Sequence, residues 1–238
     1  MNLAIDIGNT KTKIGLFKED HLESTETFES LYELNNSLDS YQIDSAIISS
    51  VNISYQNVLK ELKNLNNPIF LNTKTPLPFE NHYKSETIGL DRLAAVAGAQ
   101  SLHPNDSSLT IDLGTCITYE VLENGNIYHG GAISPGLHMR FKSMHNFTAR
   151  LPLIDPEPIA AYIADNTIGA MQSGVAFGIQ AEIDAYIQEV KSKYSPLTTI
   201  ITGGDAKFFE SKIKASIFAI PELVLMGLNA ILRYNVSI

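Results

Sequence analysis

Cysteine is almost missing from this chain: Cys116 is the only one among 238 residues. A single thiol closes no intrachain disulfide and builds no multi-cysteine metal centre, and a reducing cytosol is the expected compartment. Positive charge is scarce too. There are 17 Lys and Arg against 26 Asp and Glu, a net charge of −9. Nucleic acid and anionic membrane surfaces are therefore not expected as main partners, although a local basic pocket for a small anion is compatible with that balance. No apolar run approaches the roughly 20 residues of a membrane helix. Asp6 interrupts the apolar start where a secretory leader would continue. Low-complexity segments are lacking as well. What remains, 44% apolar and 18% charged residues, fits a globular protein able to bury a substantial core.

A repeated pattern is what the sequence does contain. LAIDIGNTKTKIGLF (3–17) places an acid inside an apolar run, then a Gly-polar-polar turn, then a second apolar run. Sliding it by 106 positions sets Asp6 on Asp112, Gly8 on Gly114, Asn9 on Thr115 and Leu16 on Leu122. Both copies read as strand, tight turn, strand and a second reversal, at Lys18-Glu19-Asp20 and at Glu123-Asn124-Gly125-Asn126. The Asn-Gly in the latter is a strong hairpin signal. One Asp-x-Gly means little, but two in matching contexts predict two similar halves.

Between them, 45–52 and 68–72 read as short buried strands, 58–65 as a helix, 73–87 as a polar loop and 90–102 as an Ala-rich helix. In the second half, 160–164 and 168–192 read as helices and 198–205 as a buried strand entering a glycine turn. Segments 208–214 and 223–234 read as closing helices, the last of them better suited to a core than to an interface. The fold class is therefore α/β in two halves, with a boundary near 103–108.

Chemistry concentrates at the turns. In Asp6-Ile7-Gly8-Asn9-Thr10-Lys11-Thr12-Lys13, Gly8 permits close backbone approach, and turn amides with polar side chains suit phosphate oxygens. A lysine adds a point charge. Asp6 beside bare phosphate would repel it, whereas a hydrated Mg²⁺ between them removes the conflict. Asp112-Leu113-Gly114-Thr115 repeats the argument. TGGD (202–205) could bring backbone against a base or ribose, and GGAISPG (130–136) is a glycine-dense segment leading to a helix that contains Arg140. In GLDR (89–92), Asp91 and Arg92 stand at a helix start, where an acid is also a favoured cap. Each segment alone has an ordinary structural explanation.

Together, DIGNTKTK, GLDR, DLGTCIT (112–118), GGAISPG and NT (166–167) with SGVAFG (173–178) occur in an order that closely resembles type III pantothenate kinases over nearly the whole chain. The resemblance implies two duplicated ribonuclease-H-like domains of the actin-like ATPase kind, 1–105 and 106–238, with the active site in the cleft between them. It implies ATP-dependent phosphorylation of pantothenate to 4′-phosphopantothenate, the first step of coenzyme A synthesis, with Mg²⁺ and K⁺ or NH₄⁺ as cofactors. It also implies a cytoplasmic homodimer.

The resemblance further makes Asp6, Ile7, Gly8, Asn9, Thr10, Lys11, Thr12, Lys13 and Thr115 the ATP contacts. Gly89, Leu90, Asp91, Arg92, Tyr83 and Thr167 become the pantothenate contacts, with Thr167 reached across the dimer interface. Asp91 is the implied proton acceptor, Asp112 the monovalent-cation ligand, and Asp6 stands on the Mg²⁺ side. Three departures are Glu120 where the family often has Asp, Cys116 for the commoner Ala or Ser, and a short linker (83–88) before GLDR. Two other readings are a non-catalytic nucleotide-binding regulator and a sugar or acyl kinase of the same superfamily. The intact acceptor-side residues speak against the first, GLDR and GGAISPG against the second.

Overall fold

The computed structural model describes residues 1–8, 11–50, 53–85, 87–158 and 161–237. Strands β1 (Asn2–Ile7), β2 (Thr12–Lys18) and β3 (His21–Phe28) form an antiparallel meander. Helix α1 (Leu31–Leu38) follows, then β4 (Ser45–Ser50), α2 (Tyr55–Glu61), the short strands β5 (Ile69–Phe70) and β6 (Glu80–Asn81), and α3 (Leu90–Leu102). A second meander comprises β7 (Ser107–Leu113), β8 (Cys116–Glu123) and β9 (Ile127–Pro135). After it come α4 (Leu137–Phe147), α5 (Thr167–Lys193), β10 (Leu197–Thr202), α6 (Ala206–Phe209), β11 (Phe218–Ala219) and α7 (Leu223–Val236).

The duplication is visible in the strand order. The first sheet runs β3-β2-β1-β4-β5, and the second runs β9-β8-β7-β10-β11, with β6 added beside β9. In both, the first meander strand pairs antiparallel with the second, and parallel strands extend the other side. Asp6 and Asp112 each stand one residue before the end of the first strand of their half.

Strand alternation decides where those acids point. Leu3, Ile5 and Ile7 enter the core with Leu34, Leu38 and Val58 from α1 and α2. Asn2, Ala4 and Asp6 share the opposite face, where Asn2 Nδ2 donates to Asn229 Oδ1 of α7 at 3.0 Å. In the second half, Leu109, Ile111 and Leu113 enter a core built with Leu137, Phe141, Ile179 and Ile183. Ser108, Thr110 and Asp112 take the other face. Each such buried Leu or Ile contributes about 1.5–3 kcal/mol relative to exposure.

The chain divides into two compact units, Met1–Asn105 with Gly125–Tyr128 and Glu222–Ile238, and Asp106–Asn124 with His129–Pro221. The C-terminal helix thus packs with the first unit, although it follows the second in sequence. The physical reason is a close helix pair. A Cβ on Gly227 of α7 would lie 1.7 Å from Ala94 O of α3, and one on Gly98 of α3 would lie 2.4 Å from Leu223 O. Only glycine lets these backbones meet, and Leu223, Leu228 and Ile231 of α7 are buried.

Other local expectations shift. The sequence pattern leaves α1 unassigned, although the N-cap Ser30 Oγ accepts from Glu33 N and Glu33 Oε2 accepts from Glu29 N, one residue before the cap. Residues 161–164 are not helical, and Ala160 lies outside the described residues. GGAISPG is mainly strand, since β9 continues to Pro135. The expected 208–214 helix is the shorter α6. The 73–87 loop contains β6, which pairs parallel with β9 through Glu80↔Ile127 and Asn81↔Tyr128.

Candidate functional site

The first unit brings together residues far apart in sequence. Asp6, on the β1 face opposite the core, meets the field of Asp91 in the first turn of α3. Burial and, next, the Asp91 charge push the Asp6 carboxyl up to about 6, while the Lys13 charge pulls it back. Lys13 is the cross-strand neighbour of Asp6. Lys11 instead pairs with Glu29 at 3.0 Å on the surface. Ile7 and Thr12 are buried. Gly8 N donates to Lys11 O at 3.1 Å, closing the turn. The expected contacts Asn9 and Thr10 lie outside the described residues.

Asp91 is held in place locally. Gly89 is the N-cap of α3 and Leu90 its first residue, and Asp91 Oδ1 accepts from Arg92 N at 2.8 Å. That bond to an amide of the first turn keeps the carboxylate at the helix start, within the field of Asp6. Arg92 is buried at 5% exposure. Its Nη2 donates to Tyr128 Oη at 3.4 Å, and its guanidinium carbon lies 5.1 Å from the Tyr83 ring centre. Tyr83 thus lies beside Arg92. Tyr128 was not foreseen, because nothing in its local sequence connects it to the GLDR segment.

The second unit carries a pocket of about 470 Å³ lined by Gly114, Thr115, His138, Met139, Lys142, Gly204 and Asp205. The turn at Gly114 and Thr115 forms part of its wall. Gly114 N donates to Cys116 O at 3.1 Å, Gly136 N to Thr115 O at 3.1 Å, and Asp205 N to Leu113 O at 2.9 Å. Gly203 sits at φ +94°, and a Cβ there would fall 2.4 Å from Asp112 Oδ1. Glycine alone allows the TGGD turn to close on Asp112. Segments 112–115, 136 and 203–205 therefore converge. His138 and Lys142 were missed, although their i, i+4 spacing on a helix places them on one face. His138 Nε2 lies 3.8 Å from Asp205 Oδ1. Burial pushes the Asp205 carboxyl up, and the His138 charge pulls it back.

In the same unit, GGAISPG is braced by α4 and α5. Arg140 donates to Pro135 O at 2.9 Å and to Ser134 Oγ at 2.9 Å, and pairs with Glu182 at 2.6 Å. Tyr119 Oη also donates to Glu182, at 2.8 Å. Glu120, the departure from the family pattern, is fully buried opposite Thr110. Thr167 is the first residue of α5, on the surface just after the N-cap Asn166, whose Oδ1 accepts from Gly169 N at 2.9 Å.

The family profile of type III pantothenate kinase matches residues 2–189. The chain belongs to the type III pantothenate kinase family. It is 45% identical over 244 residues to a type III pantothenate kinase of Bacteroides fragilis, covering 99% of this chain and 98% of that one. To one from Cytophaga hutchinsonii it is 40% identical over 237 residues, covering 99% and 100%.

Among solved structures, a conserved candidate Baf family transcriptional activator from Campylobacter jejuni superposes with TM-score 0.64 at 22% identity, covering 99% of this chain and 100% of that one. An inorganic polyphosphate/ATP-glucomannokinase from Arthrobacter superposes with TM-score 0.52 at 13% identity, covering 98% of each chain. At such identities these likenesses speak for fold alone, which is two-domain and ribonuclease-H-like. Among the described residues no helix is long and apolar enough to cross a membrane. As a member of this kinase family, the chain is a phosphotransferase.

Proposed function

We infer that this chain transfers the γ-phosphoryl group of ATP to the primary hydroxyl of pantothenate, giving 4′-phosphopantothenate in coenzyme A biosynthesis. The observation that carries the reading within the structure is the meeting of Asp6 and Asp91. Two carboxylates share one field there, and burial first and the Asp91 charge second hold the Asp6 carboxyl up at about 6, which is in keeping with a site for a cation. Among the described residues no three His, Cys, Asp or Glu side chains are grouped to hold a metal. A lone carboxylate with a neighbouring acid fits Mg²⁺, which keeps water and phosphate oxygens as most of its ligands. Bound there, the ion would neutralise charge on the transferring phosphate.

Phosphoryl transfer asks the protein chiefly for alignment and charge stabilisation. Asp91 accepts the hydroxyl proton as the new P–O bond forms and ADP departs. Arg92 holds the substrate carboxylate through its planar fork. Thr115 and the Asp6–Lys13 segment contact ATP, and Lys13 supplies the positive charge facing Asp6. Asp112 would hold K⁺ or NH₄⁺, with carbonyls near Gly203 as the kind of oxygen donors such ions accept. Tyr83 and Thr167 complete the acceptor contacts.

The same reading makes the chain a cytoplasmic homodimer. Exposed Ile168, Tyr162 and Ile163, near Thr167, supply an apolar surface in keeping with a partner. The test is a coupled assay with ATP, Mg²⁺ and K⁺, offering pantothenate, sugars and acetate in parallel. Turnover on pantothenate alone is expected, and Asp91→Asn should reduce it about 10²–10⁴-fold while ATP binding persists. Near-normal turnover in that variant would remove Asp91 from the chemistry.

A further inference from the structure

The short strand β6 inside an otherwise irregular loop has a consequence for Arg92. Its pairing fixes the backbone around Tyr128: Glu80 N donates to Asn126 O at 2.8 Å and His82 N to Tyr128 O at 2.9 Å. One residue further, Tyr83 N donates to Asn81 Oδ1 at 2.9 Å, which turns the chain at Tyr83. The loop is tied to α3 as well, because Gln100 Nε2 donates to Pro78 O at 2.7 Å. Helix α3 is the element that carries Arg92, so loop, strand and arginine form one local frame within the first unit.

That frame builds a bracket. Tyr128 is fully buried, with its ring 6.0 Å from Phe79 at 67° and 6.3 Å from Tyr83 at 24°. The Arg92 guanidinium carbon lies over the Tyr83 ring, and its Nη2 points to the Tyr128 hydroxyl. A buried guanidinium has many staggered rotamers to choose from, and an aromatic face plus an acceptor oxygen remove most of them. Removing the hydroxyl leaves a desolvated donor with less to direct it.

We infer that Tyr128, together with the face of Tyr83, is a positioning residue that orients the Arg92 guanidinium toward an acceptor carrying a carboxylate. The inference rests on the reading that Arg92 binds the pantothenate carboxylate. Tyr128 itself touches neither substrate nor the reacting atoms; its effect passes through Arg92. It therefore sets selectivity for an anionic acceptor over a neutral one.

The experiment uses the full chain with ATP, Mg²⁺ and K⁺, and compares pantothenate with panthenol, in which a hydroxymethyl group replaces the carboxylate. Tyr128→Phe should raise KM for pantothenate about fivefold, with kcat changed less than about twofold and KM for ATP unchanged. Its kcat/KM for panthenol should match that of the unaltered chain, so the preference for the anion falls by the same factor. Tyr83→Ala, which removes the ring face under the guanidinium, should likewise lower the ratio of kcat/KM for pantothenate to that for panthenol. A purely structural role would lower both acceptors together, and that result overturns the inference. Unchanged pantothenate KM in Tyr128→Phe also overturns it. Should Tyr128→Phe not fold, Tyr83→Ala carries the same comparison. Failure of the unaltered chain to phosphorylate pantothenate overturns the reading and this inference with it, whereas activity with an indifferent Tyr128→Phe overturns the inference alone.

Discussion

The two halves of this molecule share a strand order and an acid at the same place in the first strand, yet they surround that acid differently. Asp6 is confronted by a second carboxylate, Asp91, presented by α3. Asp112 is confronted by the backbone of a glycine turn at Gly203. The cross-strand neighbours differ in the same sense: Lys13 stands opposite Asp6 and Thr118 opposite Asp112. One copy of the hairpin has become a buried, charged centre in which two carboxylates share a field. The other has become part of the wall of a pocket. Duplication supplies the scaffold, and the helix or turn laid against each acid decides its chemistry.

The comparison can be broken first at Asp6. If its charge serves Mg²⁺ and ATP, Asp6→Asn should cost about a hundredfold or more in turnover. The same change should stabilise the protein without nucleotide. A carboxyl whose folded pKa is raised to about 6 binds its proton more tightly folded than unfolded. Its stability cost is absent below the unfolded value near 3.8, grows as pH rises from there to about 6, and is complete above that. Removing the charge should thus add on the order of 2–3 kcal/mol at pH 8 and little at pH 4. Thermal melts at both values, without Mg²⁺, check the sign. A destabilised Asp6→Asn at pH 8 would contradict the idea of an acid held under strain for a cation.

Asp112→Asn should act more narrowly. Activation by K⁺, the ratio of turnover with and without it, should collapse toward one, a loss of about tenfold. Titrating K⁺ into both proteins reads this directly, and an unchanged ratio would take the cation away from Asp112. The smallest expected effect is at Gly203→Ala. A positive φ and a Cβ crowded against Asp112 should cost about 1–3 kcal/mol of stability, seen as a lower Tm. KM for ATP should rise with it, while KM for pantothenate stays, because the strain falls on the turn packed against Asp112 and Leu113, next to Thr115, and not on the GLDR segment.

Much of this architecture could be read from residue order. The repeated Asp-x-Gly hairpins foretold two like halves because strand alternation and turn chemistry are local. Helix 90–102 was legible from its alanines, and the Asn124-Gly125 reversal from the positive φ that both residues adopt. Other features were hidden for a physical reason. Strand β6 has two residues and no pattern of its own; it exists because β9 lies beside it. The pairing of α7 with α3 depends on two glycines that look unremarkable in sequence, Gly98 and Gly227. Tyr128 gives no signal because its partners Arg92, Tyr83 and Phe79 come from another segment altogether.

By itself the sequence determined the class of fold, the duplication, the family and most candidate residues, since these rest on local periodicity and on motifs of ordered spacing. Only the tertiary structure decided which acid meets which neighbour. It set Asp91 against Asp6, closed Gly203 on Asp112, joined Lys11 to Glu29 and laid Arg92 over the Tyr83 ring with Tyr128 at its tip. Charge, burial and orientation come from segments brought together across the chain, and no single stretch of residues contains them.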